Sequence, residues 1–200
     1  FVEAAALAGV RIDPEEVKNA YRIADLYHKY PSLLKSKAAK ERFYSDVHRT
    51  VCRSLGLEAH FSKVHRKARL VFQKKKQWVL FRDTLPSLEF FRARHIPLAL
   101  VANWDSGLSA LAEQKGIADR FEFILSSAKA GLEKPDPRFF HCALRKMNLK
   151  SCADKVLYIG NDYEQDVLGA RSAGLIPVLI DRGKIYQKPD CSSFSSLRGF

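Results

Sequence analysis

Short apolar runs alternate with helical stretches through the second part of this 200-residue chain. Beyond Trp78, four apolar runs are separated by segments whose apolar residues recur at helical spacing. The runs cover residues 96–101, 121–125, 156–159 and 175–180. Continuous apolar strands joined by helices are typical of a parallel sheet that is covered on both faces, with right-handed crossovers. The pattern therefore predicts an α/β fold with a parallel sheet over residues 78–200.

Residues 1–77 carry a different pattern, which is typical of helices. Asp13 and Pro14 form a helix start signal, because an Asp side chain can cap the first turn and proline fits the first helical position. Apolar spacing predicts one helix from this point to Pro31, a second over 38–55 and a third from about 58. In the first helix, apolar residues at helical spacing are Val17, Ala20, Tyr21, Ala24 and Tyr27. We therefore expect an all-helical domain over 1–77.

Composition excludes several classes of protein. The chain is 46% hydrophobic and 28% charged, which is a globular composition. No apolar run approaches the roughly 20 residues that a membrane helix needs, and no signal-peptide pattern is visible. The four cysteines are far apart without a C-x-x-C motif, which favours reduced thiols over disulfides or a zinc site. A cytoplasmic location is the expectation.

The net charge of +12 is uneven, with +9 of it in residues 1–77. Basic residues around Phe61, and the run formed by Lys74, Lys75 and Lys76, resemble a nucleic-acid footprint. Lysine and arginine on the solvated faces of amphipathic helices are the more usual explanation, and no nucleic-acid-binding motif is present. We therefore treat nucleic acid as an unfavoured partner; the same charge would also attract anionic phosphate substrates.

Polar side chains follow every predicted strand. They are Asn103 and Asp105, Ser126 and Ser127, Asn161 and Asp162, and Asp181. The carboxyl ends of parallel strands share one edge of a sheet, and ligands bind at that edge. Capping and turn formation explain any one of these loops, but four of them converging with Lys134 predict a site.

Three segments in a fixed order carry a family resemblance. Segment 98–105 ends in Ala-Asn-Trp-Asp, segment 131–137 reads Gly-Leu-Glu-Lys-Pro-Asp-Pro, and segment 160–170 reads Gly-Asn-Asp-Tyr-Glu-Gln-Asp-Val-Leu-Gly-Ala. Glycine-rich nucleotide loops and a G-x-S-x-G nucleophile elbow are absent. Over nearly the whole chain, the set resembles the haloacid dehalogenase superfamily, in its phosphatase-like branch. The resemblance implies that residues 1–77 form a helical cap on a Rossmann-like core.

The resemblance also implies a chemistry. Enzymes of this superfamily transfer a substrate phosphate to the first aspartate of a D-x-D motif, with Mg²⁺, and then hydrolyse the aspartyl-phosphate. A lysine and the metal offset the crowded negative charges. On this chain the resemblance assigns Lys134 as the catalytic lysine and a small phosphorylated molecule as substrate. It further assigns Ala102 and Asn103 to substrate binding and Asp166, Asn161 and Asp162 to the metal.

The chain departs from the family pattern in three places. No D-x-D motif occurs in these 200 residues, Ala102 lacks the hydroxyl that would bind a phosphoryl oxygen, and Asn161 brings no charge to a metal. Because the sequence starts at Phe1 within a helical pattern, we expect residues 78–200 to be a core without its first strand. The chain as given should then be inactive. The alternatives are a fragment of an active hydrolase, a degenerate binding protein and, less favoured, a basic nucleic-acid-binding protein.

Overall fold

A computed structural model describes residues 1–27, 37–73 and 78–199 of the protein. The chain divides into two compact units, Phe1–Val79 and Leu80–Phe200. The predicted helix end at Pro31 and the lysine run at 74–76 lie outside the described residues. None of the described helices is long and apolar enough to cross a membrane. All four cysteines carry free thiols.

Unit 1 is built from helices. They are α1 (Val2–Ala6), α2 (Pro14–Tyr27), α3 (Lys37–Ser54) and α4 (Phe61–Gln73), the last preceded by a 3-10 turn over Glu58–His60. Asp13 caps α2 as expected from the start signal, since its Oδ1 accepts a hydrogen bond of 2.7 Å from the backbone N–H of Glu15. The third predicted helix differs in its first turn, which is 3-10 rather than α.

Small residues let the helices of unit 1 approach closely. One buried cluster is formed by Ala20 and Ala24 of α2 with Val47 and Val51 of α3. A second cluster is formed by Ala4, Ala68 and Val71. Tyr27 continues the apolar spacing of α2, but its side chain is 77% exposed. Tyr27 is the last residue of α2 and lies one turn beyond the buried alanines.

Two histidines meet inside unit 1. The Nδ1 atoms of His48 and His65 lie 2.9 Å apart, so the N–H of one ring donates a hydrogen bond to the ring nitrogen of the other. His48 is buried, and the Phe1 ring packs against it with centroids 5.5 Å apart. Burial, reinforced by His65 and the chain amino group, lowers the pKa of His48 from 6.5 to about 4. Burial and Arg49 also lower the pKa of His65. The pair is therefore uncharged at neutral pH.

We expect the stability of unit 1 to fall as the pH drops from about 6.5 towards 4. The unfolded chain takes up a proton at His48 near pH 6.5, whereas the folded chain resists it down to about pH 4. Full protonation would cost on the order of 3 kcal/mol, from the difference between these pKa values. Urea unfolding at pH 7.5 and 4.5 measures this loss. His48→Leu should reduce the pH dependence and the same change at exposed His60 should not; equal slopes for both would contradict the assignment.

Unit 2 alternates helices and strands. Its strands are β1 (Ala99–Ala102), β2 (Phe123–Ser126), β3 (Leu157–Gly160), β4 (Ile176–Ile180) and β5 (Ser192–Phe194). Its α-helices are α5 (Thr84–Ala93), α6 (Leu108–Gln114), α7 (Ser127–Ala130), α8 (Pro137–Lys146) and α9 (Gly169–Ser172). The predicted α/β class with parallel strands is confirmed, since every described strand pair is parallel. The strand β5 was not predicted, because Ser-Ser-Phe is not an apolar run.

The described strands form two sheets rather than the single sheet that the sequence predicted. In one, β1 pairs with β2, placing Ala102 opposite Ser126 at the carboxyl end. In the other, β4 lies between β3 and β5. Apolar runs specify strands but not which strand lies beside which. The Tyr158 hydroxyl on β3 donates a hydrogen bond of 3.1 Å to the Val101 carbonyl on β1, and this bond connects the two sheets.

The segment after β3 winds differently from the single α-helix that the sequence predicted over 164–173. A π-helical turn covers Tyr163–Leu168 and leads directly into α9. The backbone N–H of Val167 reaches the carbonyl of Asp162, five residues earlier, at 3.3 Å. Such single π turns are frequent at functional sites. Here the turn carries Asp166, whose side chain is buried behind the end of β3.

Candidate active site

A buried ion pair lies at the carboxyl ends of the strands in unit 2. Lys134, in the loop before α8, places its Nζ 2.5 Å from Oδ1 of Asp166. Their side chains are only 11% and 4% exposed. The other carboxylate oxygen of Asp166 accepts hydrogen bonds from the backbone N–H groups of Asn161 and Asp162, at 2.8 and 2.9 Å. Asp166 therefore joins the lysine loop to the loop after β3.

Glycine at position 160 makes room for this carboxylate. A Cβ built on Gly160 would overlap Cγ and Oδ2 of Asp166. The last residue of β3 must therefore lack a side chain if Asp166 is to reach the two N–H groups that follow the strand. The glycine of the Gly-Asn-Asp sequence is thus explained by the close approach of the Asp166 carboxylate to the backbone.

The charge state of Lys134 follows from its surroundings. Burial alone would lower the pKa of this lysine, but Tyr158 and Asp166 raise it above its usual value. The Nζ atom lies 5.6 Å from the centre of the Tyr158 ring. Burial in turn raises the pKa of Tyr158 to about 12, so its hydroxyl keeps its proton at neutral pH. The site therefore holds a permanent ammonium beside an intact phenol.

Asn103 fixes the backbone on which Lys134 stands. Its Oδ1 accepts from the backbone N–H of Lys134 at 2.8 Å, and its Nδ2 donates to the carbonyl of the same residue at 3.0 Å. The Nδ2 group also donates to Oε1 of Gln165 at 2.8 Å. Both ends of the Asn103 amide are therefore bound to protein groups in this structure. Its predicted substrate-binding role stays a prediction, and the observed contacts are those of a residue that orients the loop.

Ser127 fixes the neighbouring residue of the same loop. Its fully buried hydroxyl accepts from the backbone N–H of Trp104 at 2.9 Å and donates to the Trp104 carbonyl at 3.1 Å. Ser126 caps α7 through a bond from the N–H of Lys129 at 3.3 Å. These two serines, one at the end of β2 and one directly after it, thus organise the strand ends. Their position at the end of a predicted strand is the only sequence signal for this role.

The remaining predicted site residues occupy different places at this edge. Ala102 is the last residue of β1 and is half-buried. Asn161 is exposed, and its backbone N–H is the group that binds Asp166. Asp162 caps the π turn, since its Oδ1 accepts from the N–H of Gln165 at 2.8 Å. Tyr158 and Gln165 are not among the residues predicted from the sequence. A tyrosine in a strand does not by itself indicate a site, and neither does a glutamine in the first turn of a helix.

The described residues do not by themselves fit a magnesium ion. Magnesium requires near-octahedral oxygen ligands, including one or two carboxylates. Of the three predicted ligands, Asp166 already binds an ammonium and two N–H groups, Asp162 caps a helix, and Asn161 is uncharged. Within the ranges 1–27, 37–73 and 78–199, no group of three or more His, Cys, Asp or Glu side chains could hold a metal. The metal-binding roles stay predictions, and no reaction step through a metal follows.

Solved structures with the same fold extend over almost the whole chain. YfnB from Bacillus subtilis, whose crystal structure contains magnesium, superposes with a TM-score of 0.71 at 17% identity and covers 98% of this chain and 89% of that protein. A 2-haloacid dehalogenase from Pseudomonas syringae superposes with a TM-score of 0.58 at 22% identity, covering 98% of this chain and 81% of that one. At these identities the likeness shows the fold, which is the Rossmann-like fold predicted from the sequence.

Sequence relatives include family members and phosphatases. A haloacid dehalogenase-like hydrolase domain-containing protein 3 from Danio rerio is 27% identical over 91% of this chain and 76% of its own length. The protein of the same description from Bos taurus is 34% identical over 54% of this chain. A phosphoserine phosphatase from Thermus thermophilus is 32% identical over 62% of this chain. The matches span only 43% of the Bos taurus protein and 50% of the Thermus protein.

The family itself is given by a match to its sequence profile. The profile described as haloacid dehalogenase-like hydrolase matches residues 2–174, which includes all three segments that carried the resemblance. In the structure, the Lys134–Asp166 pair joins two of these segments, the lysine loop and the Gly-Asn-Asp loop. The profile match shows that this chain belongs to the haloacid dehalogenase-like hydrolases.

Proposed function

We propose that the protein is a phosphatase-like hydrolase of this family, which acts on a small phosphorylated substrate at the carboxyl edge of the strands. The observation that carries the proposal is the buried Lys134–Asp166 pair, because a buried ammonium at that edge is suited to offset phosphate charge. An ammonium has three N–H bonds, and Asp166 accepts one of them. Relatives described as phosphatases at 29–32% identity support the reaction class.

The proposal gives each residue a role that its contacts permit. Lys134 compensates charge on the substrate phosphate, Asp166 holds Lys134, and Asn103 orients the lysine loop. Ala102 lies beside the phosphate without donating to it. The family resemblance would place magnesium beside Asn161, Asp162 and Asp166, where it would supply further positive charge, but these residues alone do not make a magnesium site and at least one further carboxylate would be needed. Residues 1–77 serve as the helical cap domain, and residues 78–200 as the Rossmann-like core domain.

The test is hydrolysis of a generic aryl phosphate by the protein made from its complete coding sequence. We expect slow turnover that requires Mg²⁺ and is abolished by EDTA. Lys134→Ala should abolish turnover, and Lys155→Ala, at an exposed lysine of the same unit, should not. Because no D-x-D motif occurs in these 200 residues, we expect no turnover from them alone. Absence of turnover, even with Ala102→Ser and Asn161→Asp combined, would refute the proposal and favour the degenerate binding protein.

Restoring a hydroxyl at position 102 should accelerate the reaction. Loss of one preorganised donor from an active site costs on the order of 10²–10³ in rate, by analogy with oxyanion-hole deletions. We therefore expect Ala102→Ser to raise kcat by about 10-fold or more, because the hydroxyl would stand at the carboxyl end of β1. Ala110→Ser, the same change at an exposed position of α6, serves as the control. An unchanged kcat in Ala102→Ser would show that position 102 does not face the phosphate.

A further inference from the structure

The Asn103 amide is held by the lysine loop and, in addition, by a residue of the π turn. An asparagine side chain has two ends of nearly equal size, one a donor and one an acceptor. Only one orientation lets Oδ1 accept from the backbone N–H of Lys134 while Nδ2 donates to its carbonyl. A third bond stabilises this orientation, because Nδ2 also donates to Oε1 of Gln165 at 2.8 Å.

Gln165 is itself well placed to act as a fixed acceptor. It lies in the π turn, next to Asp166, and its backbone N–H is held by the Asp162 carboxylate at 2.8 Å. Its backbone is thus anchored independently of its side chain. A change of the side chain would therefore remove the acceptor without releasing the turn.

We propose that Gln165 is a positioning residue, which locks the Asn103 amide and through it keeps the Lys134 ammonium on Asp166. The chain of contacts runs from the Gln165 side chain to the Asn103 side chain, then to both backbone groups of Lys134, and from the Lys134 ammonium back to Asp166. It closes a ring between the loop after β1, the lysine loop and the π turn. The consequence for catalysis rests on the proposed function, whereas the consequence for the lysine does not.

The first test measures how accessible the Lys134 ammonium is. Brief acetylation with acetic anhydride at pH 8, read by peptide mass spectrometry, gives the labelling rate of Lys134 relative to exposed Lys155 in the same molecule. Loss of one neutral hydrogen bond corresponds to about fivefold in an equilibrium. We therefore expect Gln165→Met to raise the relative rate by about fivefold or more. Gln165→Glu retains an acceptor for Asn103 and should stay within about twofold of the parent.

Controls separate positioning from loss of structure. Gln187→Met makes the same substitution at an exposed glutamine and should leave the relative rate unchanged. The Trp104 and Trp78 fluorescence and the far-ultraviolet circular dichroism of each variant report folding; Gln165→Ala replaces Gln165→Met if the latter fails to fold. The proposal would be overturned if the relative labelling rate of Lys134 were unchanged in both Gln165→Met and Gln165→Ala. It would also be overturned if Gln165→Glu raised that rate as much as Gln165→Met does.

The second test is kinetic and uses the protein from the complete coding sequence. Gln165→Met should lower kcat by about fivefold or more with KM within about twofold, and Gln165→Glu should restore kcat. If the parent protein hydrolyses no phosphate ester, the proposed function fails while the labelling result still decides the role of Gln165. If the labelling rate changes as expected but kcat does not, Gln165 positions the lysine but this positioning does not affect turnover. That result would overturn the claim that Gln165 contributes to catalysis.

Discussion

Gly160→Ala is expected to destabilise unit 2 by about 3 kcal/mol or more. The new Cβ would occupy the space of Asp166 Cγ and Oδ2, and neither the β3 backbone nor the buried carboxylate can move without breaking contacts. Displacing Asp166 would free two backbone N–H groups and separate the carboxylate from Lys134. Breaking a buried ion pair costs on the order of 3–5 kcal/mol. Urea unfolding followed by fluorescence measures the loss.

Gly131→Ala provides the control for this substitution. A Cβ at Gly131 would meet no atom within 4 Å, but the residue has a φ of +68°. Its replacement should therefore cost only about 1 kcal/mol, from backbone strain alone. If Gly160→Ala destabilises the protein no more than Gly131→Ala does, Asp166 can relax away from the strand. The close packing of Asp166 against Gly160 would then not contribute to stability.

Lys134→Met should destabilise the protein by a comparable amount, about 3 kcal/mol at neutral pH. The substitution keeps the length of the side chain but leaves the Asp166 carboxylate buried without its counter-charge. An uncompensated buried charge is much more costly than the loss of the pair itself. Equilibrium unfolding in urea gives the free energy, and the same variant should have no phosphatase activity.

The double variant Lys134→Met with Asp166→Asn separates charge from packing. The amide has no charge and retains an oxygen to accept from the Asn161 and Asp162 N–H groups, so most of the stability should return without any return of activity. Lys155→Met, at an exposed position, should change stability by less than about 0.5 kcal/mol. A double variant as unstable as Lys134→Met would mean that the ammonium acts through packing rather than charge.

Much of the local structure could be predicted from local patterns. Asp13 with Pro14 fixed the start of α2, and the apolar runs located β1 to β4 within a few residues. The polar strand ends, together with the three segments, led to the lysine loop and to Asp166. These signals are readable because each depends on neighbouring residues: a cap, a periodicity or a short motif.

The rest depends on contacts between distant segments. The amide of Asn103 is bound by Lys134 and Gln165, which lie 31 and 62 residues away, and no spacing rule encodes this. The π turn results from the way Asp162 and Asp166 satisfy the backbone after β3, although the residues themselves favour an ordinary helix. The short strand β5 forms because β4 offers it a partner, and its own Ser-Ser-Phe sequence carries little strand signal.

The strand pairing also sets the order in which backbone hydrogens exchange with deuterated solvent. Among the described strands, β4 alone has a neighbour on each side, so its N–H groups can be bonded towards β3 or towards β5. Within the part of the chain that the structure describes, β1 and β2 pair only with each other, so each has one edge without a strand partner. Slow exchange should therefore concentrate at Val178–Ile180, in the middle of β4, while half of the amides on β1 and β2 exchange early. Ala102 and the loop that follows it thus stand on the less protected sheet, whereas Asp166 stands beside the better protected one.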